Sequence, residues 1–429
     1  MKVAYITAGA AGMYCGTCIH DNSVATALKK QGHNVALIPT YTPTRTDEEN
    51  VSLNRIFYGG INVYLQQKLA LFRHTPWALD RILDNPSLLN GLSRFSASTD
   101  ARDLGQLTVS MLSAEQGKQK KELAKLVKWL REDNEPDIVY LTNSMLVGFA
   151  REIKNALNVP VVCALQGEDI FLRDLIDPYK AKALTLLAER AIDADGFVAP
   201  CYYYAQFMAE EYLKVPVDKI DVVPLGLNLE GHGNSIERPE PPPFNIGYLA
   251  RICPEKGLHI LVSAFYTLTK ELGADNVKLH VAGYLGKKDE LYFEELVNQI
   301  HAWGLQDSFV HHGEVTRSEK IDFLNRLHVF SVPTVYRESK GLSILEALAN
   351  GVPVVQPQHG SFPEMVKATE GGILVEPESS EAVAEGILQL FRDPSKRKQL
   401  GAAGKTNVHQ KLSDEIIAQQ LMKVFEKYL

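Results

Sequence analysis

The sequence predicts an α/β protein built of two doubly wound halves, and three observations predict it. Short continuous apolar runs alternate with helical patterns over most of the chain, the mark of strands buried on both faces of a parallel sheet. The alternation stops and restarts at one proline-rich segment, Ser235 to Pro243 (SIERPEPPP), which reads as an exposed, semi-rigid connector. The chain has 429 residues; at about 100 to 200 per domain, two large domains are the simplest partition.

The first half opens with a strand, Val3 to Thr7, and a glycine-bearing turn, Gly9 to Gly16. A helix with Val24 and Leu28 on its apolar face follows, then a second strand, Val35 to Pro39. Further strands are expected at Asp137 to Leu141, Val159 to Leu165, Gly196 to Ala199 and Ile220 to Pro224. Between them, residues 61 to about 135 carry helical stretches longer than a crossover needs and read as an insertion. Its apolar residues, with Arg73, His74, Trp77, Arg81 and Arg94, suit a core-covering face or, alternatively, peripheral contact with a membrane or acceptor; Asp80 and Asp84 offset part of that charge.

After the connector the pattern resumes with strands Phe244 to Leu249, Val277 to Ala282, Phe309 to His311, Val329 to Val332 and Pro353 to Gln356. The intervening helices are Leu258 to Glu271, Asp289 to Trp303, Ser318 to Leu327 and Leu342 to Asn350. The expected domains are 1–234, the connector 235–243, and 244–410, with 411–429 ending in an amphipathic helix that packs back toward the first domain. Two Rossmann-like domains facing a central cleft would take a ligand at the carboxyl ends of their strands.

Composition narrows the function. Lys and Arg number 45 against 52 Asp and Glu, a net charge of -7, which argues against a nucleic-acid partner. Five cysteines are an odd number, and Cys163, Cys201 and Cys253 lie in or beside apolar runs, so a disulfide framework is a poor explanation and a reducing cytoplasm fits better. No apolar run is long enough to span a bilayer, and the opening VAYITAG is too short for a signal-peptide core. A cytoplasmic protein is expected, the inner face of a membrane being the place for any peripheral contact.

Two stretches carry candidate chemistry. In FNIGYLARICPEKGLHILVSAF, Arg251 and Lys256 stand on a short loop feeding a helix, where two cations and a helix N-terminus suit a diphosphate whose charge grows as its bond to a sugar breaks. Solvated loop charge, with Lys256 paired to Glu255, is the plainer alternative. In ESKGLSILEALANGVPVVQPQHG, Glu338 and Glu346 bracket a glycine turn and an apolar helix. Glu338 would accept hydrogen bonds from sugar hydroxyls and Glu346 from ribose hydroxyls, while the backbone N–H groups of Gly341 and Leu342 face phosphate. The run Ser343-Ile344-Leu345-Glu346 also matches a capping box, a purely structural role for Glu346.

The opening loop, GAAGMYCGTCIHDN, places Gly9, Gly12 and Gly16 where backbone can approach a phosphate or acceptor, with Asp21 or Asn22 suited to cap the next helix. Cys15 and Cys18 form a lone C-x-x-C with no second pair; His20 is at most a third ligand, so a packed thiol pair is expected and no metal site.

The succession ARICPEKG, HHGEV, VPTVYRESKGLSILEALANGVPVV, HGSFPEMV and GGILVEP resembles the retaining glycosyltransferases of family 4, which have the GT-B fold. The likeness is clear from about Asp193 to the end; before it, the Gly loop and Gly32-His33-Asn34-Val35 also fit. The resemblance implies that Arg251 and Lys256 bind the donor diphosphate, Glu338 holds the transferred sugar, Gly341 and Leu342 give backbone amides, and Glu346 holds the nucleotide ribose. It implies a nucleotide-sugar donor, a carbohydrate, lipid or small-molecule acceptor, retention of anomeric configuration, and no metal or other cofactor. Three positions depart from the family pattern: Ala250 replaces a Gly, Lys340 stands where Phe is common, and Gln166 replaces a His that contacts the reacting sugar. Glu168 and Asp169, beside Gln166, are candidate sugar or acceptor contacts.

An oxidoreductase is disfavoured by the opening loop, which lacks G-x-G-x-x-G spacing, and by a second strand ending Pro39-Thr40-Tyr41 with no acidic residue for ribose. A sugar-nucleotide epimerase, a phosphorylase, or a non-catalytic nucleotide-sugar-binding protein remain the alternatives.

Overall fold

The computed structural model describes residues 1–9, 16–68, 72, 101–234, 238 and 240–429. They form two compact units, Met1–Gly226 with Asp414–Leu429, and Leu227–Ser413. Residues 227–234, which composition places before the connector, therefore belong to the second unit.

The first unit is built on a parallel sheet of β1 (Lys2–Thr7), β2 (Asn34–Pro39), β3 (Ile138–Leu141), β4 (Val161–Ala164), β5 (Gly196–Ala199) and β6 (Ile220–Val222), in the order β2-β1-β3-β4-β5-β6. Residues Ile138–Leu141 and Val161–Ala164 are buried throughout, which is why these strands read as continuous apolar runs. Because β2 and β3 flank β1 on opposite sides, the winding reverses between β1 and β3, and a crevice opens at their carboxyl ends.

Helix α1 (Gly16–Lys30) starts before Asp21 and Asn22, so both lie inside it and neither caps it. The described part of the insertion includes helices Gly60–Lys68, Ala101–Leu112 and Lys120–Trp129. Buried Glu122 there accepts hydrogen bonds from Asn62 (3.0 Å) and Gln66 (2.7 Å) and pairs with Lys125. Arg73, His74, Trp77, Arg81 and Arg94 lie outside the described residues. The C-terminal helix Asp414–Glu426 packs on α1, where Ser23 donates to Asp414 (2.9 Å), and Phe425 meets Tyr140 edge-on. Among the described residues no helix is long and apolar enough to cross a membrane.

The second unit repeats the plan with β7 (Phe244–Leu249), β8 (Val277–Ala282), β9 (Phe309–Gly313), β10 (Val329–Phe330), β11 (Val354–Pro357) and β12 (Gly372–Val375), ordered β12-β11-β10-β7-β8-β9. Phe244, Ile246, Tyr248, Phe265 and Phe330 are fully buried; each such side chain contributes about 1.5–3 kcal/mol of transfer free energy. The alternation continues past Gln356 through β12 and the helices Phe362–Thr369, Ser380–Arg392 and Pro394–Lys411. Here β8 and β10 flank β7 on opposite sides, so the switch point lies between β7 and β10. From the connector, Arg238 is fastened to this unit by hydrogen bonds to the carbonyls of Asn325, Asn350 and Gly351.

Candidate functional site

Two adjacent loops leave the second unit's switch point. After β7 the chain runs through exposed Arg251 into a single 3₁₀ turn, Pro254–Lys256, and then Gly257 leads into helix α2 (Leu258–Leu272). Gly257 has φ +72°, and a Cβ there would lie 1.8 Å from the Pro333 carbonyl oxygen, so only glycine lets this loop press on the segment after β10. The Val335 N–H donates to the Glu255 carbonyl (3.0 Å) and stitches the loops together. Parallel pairing of β7 with β10 thus brings together residues more than eighty positions apart in sequence.

Lys256 and Glu338 meet there. The Lys256 ammonium lies 2.5 Å from Glu338 Oε2, and the Tyr336 hydroxyl lies 2.6 Å from each of those atoms. Glu338 Oε1 accepts the backbone N–H groups of Ser339 (3.1 Å) and Lys340 (3.2 Å). Burial opposes ionisation of Glu338, but the Lys256 charge, the hydrogen bonds of Lys256 and Tyr336, and the Lys340 N–H outweigh it and hold the carboxyl at about 2, against an ordinary 4.5. Lys256 therefore faces Glu338, and the ion pair it makes is with Glu338 and not the alternative one with Glu255. The loop after β11 backs the carboxylate: the Ser361 N–H donates to the Glu338 carbonyl (2.7 Å).

Gly341, at φ +75°, ends the loop after β10 and leads into a helix. Helix α3 (Arg317–Asn325) is opened by a capping box of Thr316 with Glu319, and α4 (Leu342–Ala349) starts directly behind Gly341. Glu346 sits within α4, and no side chain caps it, so the capping-box alternative at Ser343–Glu346 is overturned. Instead Glu346 is buried against Lys320 of α3, Oε1 to Nζ 2.6 Å. Lys320 has no counterpart in the sequence reading. A single Lys on a helix otherwise reads as solvated, and the signal that marks it here is a partner 26 residues away.

In the first unit, Gln166, Glu168 and Asp169 follow β4. Asp21, fully buried on α1, accepts from Thr7 Oγ1 (2.7 Å), Gln166 Nε2 (2.9 Å) and the Tyr5 hydroxyl (3.3 Å). Glu168 accepts the backbone N–H groups of Gln166 (2.6 Å) and Ser144 (3.0 Å), so its carboxylate ties the loops after β3 and β4 to each other. Asp169 accepts from the Tyr204 hydroxyl at 2.8 Å; burial, with Glu168 nearby, raises its carboxyl despite that bond. The buried hydroxyls of Thr142 and Ser144 stand at the same strand ends. Such a cluster of hydroxyls, amide and carboxylates has the donor and acceptor variety that carbohydrate hydroxyls require. Gly12 and Cys15 lie outside the described residues, and Cys18 is buried in α1.

Residues 235–407 match the family model described as glycosyl transferases group 1. A capsular polysaccharide biosynthesis glycosyltransferase of Staphylococcus aureus is 32% identical over 192 residues, 43% of this chain and 47% of that protein. Against that relative the match spans about half its length. An uncharacterised glycosyltransferase of Methanocaldococcus jannaschii is 23% identical over 427 residues, covering 96% of this chain and 94% of its own. The crystal structure of Anabaena HepE in complex with UDP superposes over the whole of both chains with a TM-score of 0.68 at 17% identity. The second unit thus resembles the group 1 glycosyl transferases over residues 235–407, in a chain whose two Rossmann-like units have the GT-B fold.

Proposed function

We propose that this protein transfers a sugar from a nucleoside diphosphate sugar to a carbohydrate, lipid or small-molecule acceptor, with retention at the anomeric carbon, in the manner of family 4 glycosyltransferases. One observation carries the reading: at the switch point of the group 1 unit, a cation suited to a diphosphate and an ionised carboxylate suited to sugar hydroxyls stand 2.5 Å apart. Arg251 and Lys256 bind the diphosphate, whose negative charge grows as the anomeric C–O bond breaks. Gly341 and Leu342 add N–H groups at the α4 terminus, Glu338 holds the sugar, and Glu346, set in place by Lys320, holds the ribose. The acceptor oxygen bonds to the anomeric carbon on the face that the phosphate leaves, and its proton passes to the departing phosphate oxygen. Positive side chains and helix termini supply what a metal ion supplies elsewhere, so no metal is invoked. Gln166 stands for the family's His as a hydrogen-bonding group to the reacting sugar, held by Asp21.

The test is incubation with UDP- and GDP-sugars and a panel of glycan, polyprenyl and inositol acceptors, followed by NMR of the anomeric linkage. A new bond with the donor's configuration is expected. An inverted linkage removes the retaining mechanism; tight donor binding without any product favours a binding protein.

A further inference from the structure

We propose that Tyr336 is a positioning residue of the donor site, whose hydroxyl keeps the Glu338 carboxylate hydrogen-bonded and in place when Lys256 turns from it to the donor's phosphates. The inference rests on the donor reading above and deepens it. Lys256 Nζ, Glu338 Oε2 and Tyr336 Oη form a closed triangle with sides of 2.5, 2.6 and 2.6 Å. In it the ammonium donates to both oxygens and the phenol donates to the carboxylate. A diphosphate arriving beside Lys256 competes for the same ammonium that Glu338 now holds. With Lys256 drawn to phosphate, the backbone N–H groups of Ser339 and Lys340 still fix Oε1, and Tyr336 is what still fixes Oε2.

The sequence puts Tyr336 where this works. It lies two residues before Glu338 on the bent segment after β10, and both side chains reach the Lys256 ammonium from there. Its ring centroid lies 5.0 Å from Lys256 Nζ, with the ammonium at the hydroxyl end of the ring. Burial first, and then the Glu338 charge, push the phenol well above its ordinary range, so it stays protonated and remains a donor.

The experiment uses the full-length Tyr336→Phe variant, which keeps the ring and its packing and removes one oxygen. Titration calorimetry compares UDP with UDP-glucose, and GDP with GDP-mannose. Donor cleavage is followed across pH for whichever sugar nucleotide binds. Wild type is expected to bind its sugar nucleotide more tightly than the bare diphosphate. In Tyr336→Phe that sugar-dependent gain should fall about tenfold, the worth of one hydrogen bond to a charged group, while nucleoside diphosphate affinity stays within about twofold. Activity in the variant should fail on acidification at a higher pH than in wild type, because Glu338 protonates more readily. An unchanged sugar-dependent gain and pH profile, or an equal loss for diphosphate and sugar nucleotide, overturns the role of Tyr336. Failure of wild type to bind any of the four ligands overturns the donor reading itself.

Discussion

Replacing Lys256 by Met removes the charge beside Glu338 and keeps the apolar stem. Glu338 is only 7% exposed, so its carboxylate would lose the cation at 2.5 Å without solvent to replace it. Its carboxyl sits at about 2 in the folded chain against an ordinary 4.5, which corresponds to about 3 kcal/mol of stability at pH 7, at about 1.4 kcal/mol per pH unit. The folded value lies below the unfolded one, so this contribution is present above about pH 4.5 and is lost as pH falls toward 2, with about 2.5 kcal/mol left at pH 4 and about 1.4 at pH 3. Without Lys256 the opposing effect of burial dominates and little of it remains at any pH. Lys256→Met should therefore lie about 2–3 kcal/mol below wild type at neutral pH, the smaller figure crediting Tyr336 and the two N–H groups that remain. The gap should narrow to about 1 kcal/mol at pH 3. Two compact units make a single global transition a poor readout. Trp303, stacked on Tyr266 at 4.2 Å in the second unit, reports that unit's urea unfolding when Trp77 and Trp129 are replaced by Phe. A gap of the same size at pH 7 and pH 3, or none at pH 7, would refute the reasoning.

Three further outcomes follow from other contacts. Gly257→Ala should cost more than about 3 kcal/mol, combining left-handed strain of about 1–2 kcal/mol with the Pro333 clash, whereas Gly304→Ala, at φ +71° with nothing within 4 Å, should cost only the strain; equal melting shifts for the two would dismiss the clash. Lys320→Met should destabilise the second unit by about 3–5 kcal/mol by stranding Glu346, and Lys320→Met/Glu346→Gln should recover most of that without recovering nucleotide affinity; calorimetry with UDP and GDP that shows full affinity in the double variant would take Glu346 out of the ribose site. Asp21→Asn should lower the first unit's stability by about 1–3 kcal/mol, since an amide cannot accept from Thr7, Tyr5 and Gln166 as a carboxylate does; a melting temperature unchanged from wild type would mean that the network is dispensable.

How much of this was legible in the sequence depends on whether a residue's role is local. The strands were legible because Val139–Leu141 and Val161–Ala164 are buried on both faces and must be apolar throughout. The edge strand β12, Gly372–Val375, was not: three of its four residues are only half-buried, and a GILV run that short has no period to read. The loops that carry Lys256 and Glu338 were legible from glycine and proline punctuation, but their contact was not, because it depends on β10 pairing with β7 across more than eighty residues. A glycine loop before them suggests Asp21 or Asn22 as a cap, but the helix begins at Gly16, which turns Asp21 inward to Thr7 and Gln166. Glu168, a candidate sugar or acceptor contact in the sequence, has a carboxylate that accepts the N–H groups of Ser144 and Gln166, contacts that its neighbours in sequence do not reveal.

The same network bears on Gln166, which stands where the proposed family has a His. An amide, like an imidazole, rotates and must be held by its surroundings to present a defined donor and acceptor. Asp21 supplies that hold: its carboxylate, anchored by Thr7 and Tyr5, accepts from Gln166 Nε2 and so determines which end of the amide faces which way. The Glu168 bond to the Gln166 N–H fixes the backbone on the other side. A Gln so clamped can replace the hydrogen bonds of a His, though not its proton. Gln166→His should then be a poor exchange, since the imidazole would meet the buried Asp21 carboxylate and be drawn into an ion pair with it. Donor turnover in Gln166→His should fall, and pairing with Asp21→Asn should restore part of it. A Gln166→His variant more active than wild type, with Asp21 intact, would show that Asp21 does not serve the amide.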